Sequence, residues 1–130
     1  MIKVIIADDN PAIRNAWQIF LSSFNNINVL AVCSSGKEVI KKVAELLPDI
    51  ILMDINMTDI SGIDATRRIM AQTPGMKVIG VSSHSSPLFI SKMMDAGAKG
   101  YVIKHNVSDQ LMNAIEEVYK GNIYIGKDKL

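Results

Sequence analysis

The sequence has little of what would mark a membrane segment, an oxidising compartment or a grip on nucleic acid. It has one cysteine, Cys33, which allows neither an internal disulfide nor a cysteine metal cluster, so a reducing cytoplasm is the expected location. Its longest unbroken apolar run, Val29 to Cys33, is five residues, far short of the ~20 that cross a bilayer. Met1-Ile2-Lys3-Val4-Ile5-Ile6 leads directly into acidic residues with no cleavage site after a long apolar stretch, so a signal peptide is not expected. Neither sign of charge dominates: 14 basic against 13 acidic residues leave a net +1. A protein that holds nucleic acid concentrates basic residues on one face. Here Lys41-Lys42, Arg67-Arg68, Lys99, Lys127 and Lys129 are spread along the chain as solvated charges, and these 130 residues alone are not expected to bind DNA. Internal repeats, low-complexity tracts and linker-like stretches are absent before Gly121. Pro48, Pro74 and Pro87 fall at or near element boundaries, and none interrupts a strand.

What is present is an alternation of short apolar runs and longer amphipathic ones, in a length suited to one domain and a composition 48% hydrophobic and 21% charged. Strands are predicted at Ile2–Ala7, Asn28–Val32, Ile50–Met53, Lys77–Val81 and Gly100–Ile103. Between them, Ile13, Trp17, Phe20, Leu21 and Phe24 share one helical face, as do Val39, Ile40, Val43, Leu46 and Leu47, and Leu111, Met112, Ile115, Val118 and Tyr119. Asn10-Pro11 supplies a cap and a proline at the first helical position, Ser35-Gly36-Lys37-Glu38 has the capping-box form, and Ser61 precedes the third helix. Ser108-Asp109 opens the last helix and Gly121 ends it. Nearly all-apolar strands separated by helices predict a doubly wound, five-stranded parallel sheet covered on both faces. Met93, Met94 and Met112 read as core filling, with a partner face on the fourth and fifth helices left open. Residues 122–130 do not continue the pattern and are read as a tail or the start of a connection.

Sites in such sheets form at the carboxyl ends of the strands, where the strand order reverses. The polar residues expected there are Asp8-Asp9, Asp54, Ser82-Ser83 and Lys104, with the less telling Cys33-Ser34 after the second strand. If the first and third strands are neighbours, two carboxylates lie about 5 Å apart and repel by roughly 3 kcal/mol at an effective dielectric of about 20. A hard divalent cation offsets such a charge, and Mg²⁺ is usual where one or two carboxylates share the metal with phosphate. A carboxylate beside that ion can accept a phosphoryl group as an acyl phosphate. Lys104 can then neutralise the arriving oxygens and Ser82 can donate to one of them. Taken singly, each has a simpler reading: an aspartate capping the first helix, a solvated lysine, a turn serine.

The spacing Asp8-Asp9, Asp54, Ser82, Lys104 resembles the receiver domain of two-component response regulators, over roughly Ile2 to Lys120. Val4-Ile5-Ile6-Ala7-Asp8-Asp9 is similar to the family's opening strand and acidic pair, Pro48-Asp49-Ile50-Ile51-Leu52-Met53-Asp54 to its phosphoacceptor strand, and Gly97-Ala98-Lys99-Gly100-Tyr101-Val102-Ile103-Lys104 to its fifth-strand motif. The resemblance implies a flavodoxin-like sheet of order 2-1-3-4-5 and a receiver domain at 1–121. It makes Asp54 the phosphoacceptor, supplied by a sensor histidine kinase. Asp9 and Asp54 would bind Mg²⁺ directly, Asp8 less directly, and the Asn56 backbone carbonyl would complete the protein ligands. Ser82 and Tyr101 would form a switch pair that reorients on phosphorylation and promotes homodimerisation. Such a domain is a switch with self-phosphorylation and dephosphorylation chemistry rather than a turnover enzyme.

Three positions depart from the family's commonest pattern: Thr58 where Met-Pro is frequent, His105 where a proline often follows the lysine, and Ser83 where alanine is common. They bear on loop geometry and phosphoryl lifetime and leave the reactive groups in place. His84 and His105 flank the expected pocket and read as partly exposed residues acting through access and hydrogen bonding. The end of the chain, Ala114 to Tyr124, resembles NarL/LuxR-type regulators, which implies residues 122–130 leading to a helix-turn-helix domain through which the longer protein meets DNA. The alternatives are a stand-alone receiver docking on a protein, a degenerate receiver used only for protein contacts, and a Mg²⁺-dependent aspartyl phosphohydrolase. That last reading is weakened by Asn56, where an acid–base carboxylate belongs.

Overall fold

Runs such as Val4-Ile5-Ile6-Ala7 and Ile50-Ile51-Leu52-Met53 send apolar side chains to both faces of an extended chain, which is stable only when helices cover both. The computed structural model describes residues 1–104 and 107–126, with the backbone alone at 107–109. His105, Lys127 and Lys129 lie outside the described residues, as do the side chains of Ser108 and Asp109. The order is β1 (Ile2–Ala7), α1 (Pro11–Ser22), β2 (Ile27–Cys33), α2 (Gly36–Leu46), β3 (Ile50–Asp54), α3 (Gly62–Gln72), β4 (Lys77–Ser82), α4 (Pro87–Asp95), β5 (Gly100–Ile103), α5 (Val107–Tyr119) and β6 (Tyr124–Ile125). No helix of the described residues is long and apolar enough to cross a membrane.

All strand pairings are parallel, in the order β2-β1-β3-β4-β5-β6. The chain winds outward from β1 to β2, returns past β1 to β3, and continues the other way. The reversal between β1 and β3 opens a crevice at their carboxyl ends. This corrects the expected five-stranded sheet by one strand. Gly121, at a left-handed φ of +102°, turns the chain after α5, and the Tyr124 and Gly126 N–H groups then donate to Lys99 and Tyr101 carbonyls at 3.1 and 2.7 Å. These bonds use acceptors that β5 would otherwise present at an open sheet edge. Three strands also run longer than expected. β2 gains Ile27 and Cys33, and β3 and β4 extend to Asp54 and Ser82, each on the last rung of its ladder opposite Val81 and Ile103.

The alternation along β1 divides the core. Ile5 and Ala7 join Val39, Val43, Ile51, Met53, Ile69, Met93 and Tyr101 on the face covered by α2, α3 and α4. Val4 and Ile6 join Trp17, Leu21, Ile50, Leu52, Leu111, Ile115 and Val118 under α1 and α5. Met94 and Met112 pack against these clusters from partly buried positions. The expected α2 stripe overran its helix: Leu47 takes a left-handed φ of +48° as the C-cap, and Leu46 and Leu47 are exposed.

Caps fix where the helices start. Asn10 Oδ1 accepts from the Ala12 and Ile13 N–H groups at 2.9 and 3.3 Å, ahead of Pro11. Ser35 Oγ accepts from Glu38 N–H at 3.1 Å, but the Glu38 carboxylate reaches back to Ser34 N–H at 2.7 Å, one residue earlier than a standard capping box. The last helix begins at Val107, one residue before the expected Ser108.

Candidate functional site

Asp8 follows β1 directly, its N–H held by the Cys33 carbonyl at 3.1 Å. Its own carbonyl accepts from Arg14 Nη1 at 2.8 Å, and its Oδ1 accepts from the Asn10 N–H at 2.8 Å. Asp8 is thereby fixed to the start of α1 and is fully buried. Asp54 ends β3, and β1 and β3 are adjacent. Carboxylate oxygens of Asp8, Asp9 and Asp54 lie within 4.8 Å of one another. Asp9 is half-buried, at the solvent side of the group.

Lys104, just beyond β5, reaches into this cluster. Its Nζ is 3.0 Å from Asp8 Oδ2 and 3.0 Å from Asp54 Oδ1, and it lies 5.9 Å from the centre of the Trp17 ring. The ammonium pairs with two of the three carboxylates, so negative charge stays in excess. Burial, followed by the charge of Asp8, pushes the Asp54 carboxyl above its usual pKa, against the lowering pull of Lys104 and of the Asn56 N–H. For Lys104, burial works against the charged form, but the bonds to Asp8 and Asp54 outweigh it and hold the ammonium above its usual range. At the end of β2, burial first and then Glu38 push the Cys33 thiol up to about 12, so it takes no part as a nucleophile near neutral pH.

The remaining residues gather around His84, expected at the flank of the pocket as a partly exposed residue acting through access and hydrogen bonding, and found half-buried there. Ser82 Oγ accepts from the His84 N–H at 3.1 Å, and the Tyr101 hydroxyl donates to the His84 carbonyl at 2.6 Å. Ser82 and Tyr101 are thus joined through the main chain of His84. The His84 imidazole stacks on Phe89 of α4 with ring centres 4.1 Å apart, and its Nε2 is 2.8 Å from Asn56 Nδ2, beyond Asp54. Tyr101 is fully buried and faces Gly80 across the ladder. A Cβ at position 80 would lie 3.0 Å from Met93 Cγ and 3.3 Å from Tyr101 Cδ2. The place of His84 beside the pocket was legible in the sequence, but its two decisive contacts were not, because they use the N–H and C=O that almost every residue has. The structure thus brings Asp8, Asp9 and Asp54 within 4.8 Å of one another with Lys104 against Asp8 and Asp54, and sets Ser82, Tyr101 and Asn56 in a second group linked to the first by the loop after Asp54.

The family model described as the response regulator receiver domain matches residues 4–116. The response regulator GacA of Pseudomonas syringae pv. syringae (strain B728a) is 35% identical over 125 residues, which are 96% of this chain and 58% of that protein. The oxygen regulatory protein NreC of Staphylococcus aureus (strain JH9) is 35% identical over 124 residues, 95% of this chain and 57% of NreC. The chain therefore spans less than two thirds of the length of these relatives. The crystal structure of a LuxR-family two-component response regulator from Aurantimonas sp. SI85-9A1 superposes with a TM-score of 0.92 at 27% identity, covering 95% of this chain and 89% of that one. With an acidic crevice at the strand-order reversal and a lysine bridging two of its aspartates, this chain belongs to the response regulator receiver domain family and is the receiver domain of a two-component response regulator.

Proposed function

We propose that Asp54 accepts a phosphoryl group from a sensor histidine kinase in the cytoplasm. The observation that carries this reading is a buried carboxylate on the last rung of β3, with two more carboxylates within 4.8 Å and the Lys104 ammonium at 3.0 Å. A carboxylate oxygen of Asp54 attacks phosphorus, the bond from phosphorus to the donor atom breaks, and its electron pair leaves with the donor. Lys104, already against Asp54, offsets the charge of the incoming oxygens.

The residues suit a hard cation. Asp8 Oδ2 is fully buried, with the Lys104 ammonium 3.0 Å away as its one partner among the described residues, and the donor set is all oxygen. Asp9 and Asp54 would hold Mg²⁺, with Asp8 behind them and the Asn56 carbonyl as a further ligand. The ion would supply charge neutralisation for the phosphoryl oxygens. Phosphorylation is expected from acetyl phosphate with Mg²⁺, and EDTA is expected to prevent it; labelling without metal would overturn the reading. Because the ion binds the folded cluster better than the unfolded chain, a Mg²⁺ concentration about 100 times the dissociation constant adds about 2.7 kcal/mol of stability. Asp9→Ala is expected to lose most of the resulting rise in Tm; an unchanged rise would place the ion elsewhere.

Ser82 and Tyr101 form the switch, with His84 as the joint between them. A phosphoryl oxygen that accepts from the Ser82 hydroxyl draws Oγ toward itself and away from the His84 N–H it now accepts from, and the loop that also receives the Tyr101 hydroxyl then shifts. Beryllofluoride is expected to move the chain toward dimers in sedimentation. Ser82→Ala should still accept phosphate yet dimerise less; equal dimerisation in both would remove Ser82 from the switch.

The receiver domain is assigned to residues 1–121, and 122–130, whose Tyr124 and Ile125 add β6 to its sheet, lead toward a helix-turn-helix domain in a longer transcription regulator. The similarity to a LuxR-family regulator and the partial coverage of GacA and NreC support this reading. A native reading frame that stops after Leu130 would favour a stand-alone receiver instead.

A further inference from the structure

The loop from Ile55 to Ser61 leaves Asp54 and enters α3. It carries Asn56, whose N–H bonds to the Asp54 carboxylate. With Thr58 at the position where the family often has proline, no ring stiffens it. Its anchorage is of another kind. Asp59, though exposed, gives both carboxylate oxygens to the first turn of α2: Oδ1 accepts from the Gly36 N–H and Oδ2 from the Lys37 N–H, each at 2.9 Å. Ser35 already takes the Glu38 N–H, so helix and loop together satisfy the three donors of that turn. Ile60 sits beside the clasp, on Gly36: a Cβ there would lie 3.0 Å from both Ile60 Cβ and the Ile60 carbonyl oxygen. The bonds, that from Lys37 foremost, hold the Asp59 carboxyl down to about 2. The clasp is therefore intact at any pH where phosphorylation would be measured.

We propose that Asp59 is a positioning residue for phosphoryl acceptance: by fastening the β3–α3 loop to the first turn of α2, it holds Asn56 against the acceptor carboxylate. This rests on the reading of Asp54 as acceptor and of its surroundings as a Mg²⁺ site. Asp59 itself touches neither phosphorus nor metal. Its effect passes through the backbone between residues 54 and 59.

The test must separate this role from simple capping of α2. Mg²⁺ binding to the full chain is measured by titration calorimetry, and phosphorylation from acetyl phosphate alongside it. Outer partners of metal ligands typically change affinity by about 10–100-fold, and an exposed clasp should fall at or below the low end. Asp59→Ala is expected to raise the half-saturating Mg²⁺ concentration about three- to tenfold, and Asp59→Asn, which keeps one acceptor oxygen, to fall between it and the parent. Ser35→Ala removes a cap from the same helix without releasing the loop. It should lower Tm by a similar amount and leave Mg²⁺ binding at the parent value. If folded Asp59 variants bind Mg²⁺ like the parent, or Ser35→Ala shifts binding as much as Asp59→Ala, the proposal is wrong and Asp59 is a cap alone. A parent that neither binds Mg²⁺ nor labels would sink the acceptor reading first, and this proposal with it.

Discussion

Asp54→Asn is expected to abolish phosphorylation completely while leaving the protein folded and at least as heat-stable as the parent without metal. The amide has nearly the shape of the carboxylate and keeps an oxygen for Lys104, which also retains Asp8 at 3.0 Å. The stability expectation follows from the sign of the shift. Burial and Asp8 raise the Asp54 pKa in the fold, so the folded chain holds that proton more tightly than the unfolded one. Stability from this group is present below the unfolded pKa and is lost as pH rises through the folded pKa. Above the folded pKa the ionised carboxylate thus works against the fold, and replacing it with a neutral group relieves the cost. Mass spectrometry after treatment with acetyl phosphate and Mg²⁺ reads the first expectation, and thermal melts in EDTA read the second. A mutant that labels like the parent would show that the acceptor is another residue.

Gly62→Ala should be the most damaging single-methyl change at the site. Gly62 opens α3, and its N–H donates to the Ile55 carbonyl at 2.7 Å, closing the loop that begins after Asp54. A Cβ at position 62 would overlap the Asp54 carbonyl oxygen and stand 2.8 Å from the Asp54 carbonyl carbon and 2.9 Å from Ile55 Cα. These are backbone atoms of a buried strand end, and no side-chain rotation relieves them. Overpacking of well-ordered sites typically costs about 1–3 kcal/mol. A clash against main chain belongs at the top of that range, so about 3 kcal/mol of a total near 5–15 kcal/mol is expected to go. For a chain of this size that is a fall in Tm of roughly 10 °C. Because the strain falls on the peptide of Asp54, the proposed acceptor, phosphorylation should drop as well, even well below the new Tm. A melting point within about 2 °C of the parent, with normal labelling, would show that α3 can move aside.

Much of this was legible in the sequence for a physical reason. A strand buried on both faces must be apolar throughout, so β1 and β3 were plain. A carboxylate at the end of such a strand is costly enough to need an explanation, which singled out Asp8, Asp9 and Asp54. Lys104 followed from its place after β5. The features that escaped detection have no pattern of their own. Two residues, Tyr124 and Ile125, become a strand only because β5 offers them bonding partners. Leu47 kept the helical period after the helix had stopped, and Leu46, its last residue, is exposed. Asp59 is an ordinary loop aspartate until the fold places it against donors 22 and 23 residues away.

The inward seat of Tyr101 is made from an omission. Gly80 lies in a central strand, where glycine weakens the sheet because it has no side chain to pack. The ring of Tyr101 and the side chain of Met93 fill the room it leaves. The molecule therefore gives up some cohesion in the middle of its sheet to keep a socket that an aromatic ring can occupy. A single methyl at position 80 would crowd ring and side chain together, so the socket exists only while that position stays bare. The seat of the Tyr101 ring is thus shaped by a residue that has no functional group at all.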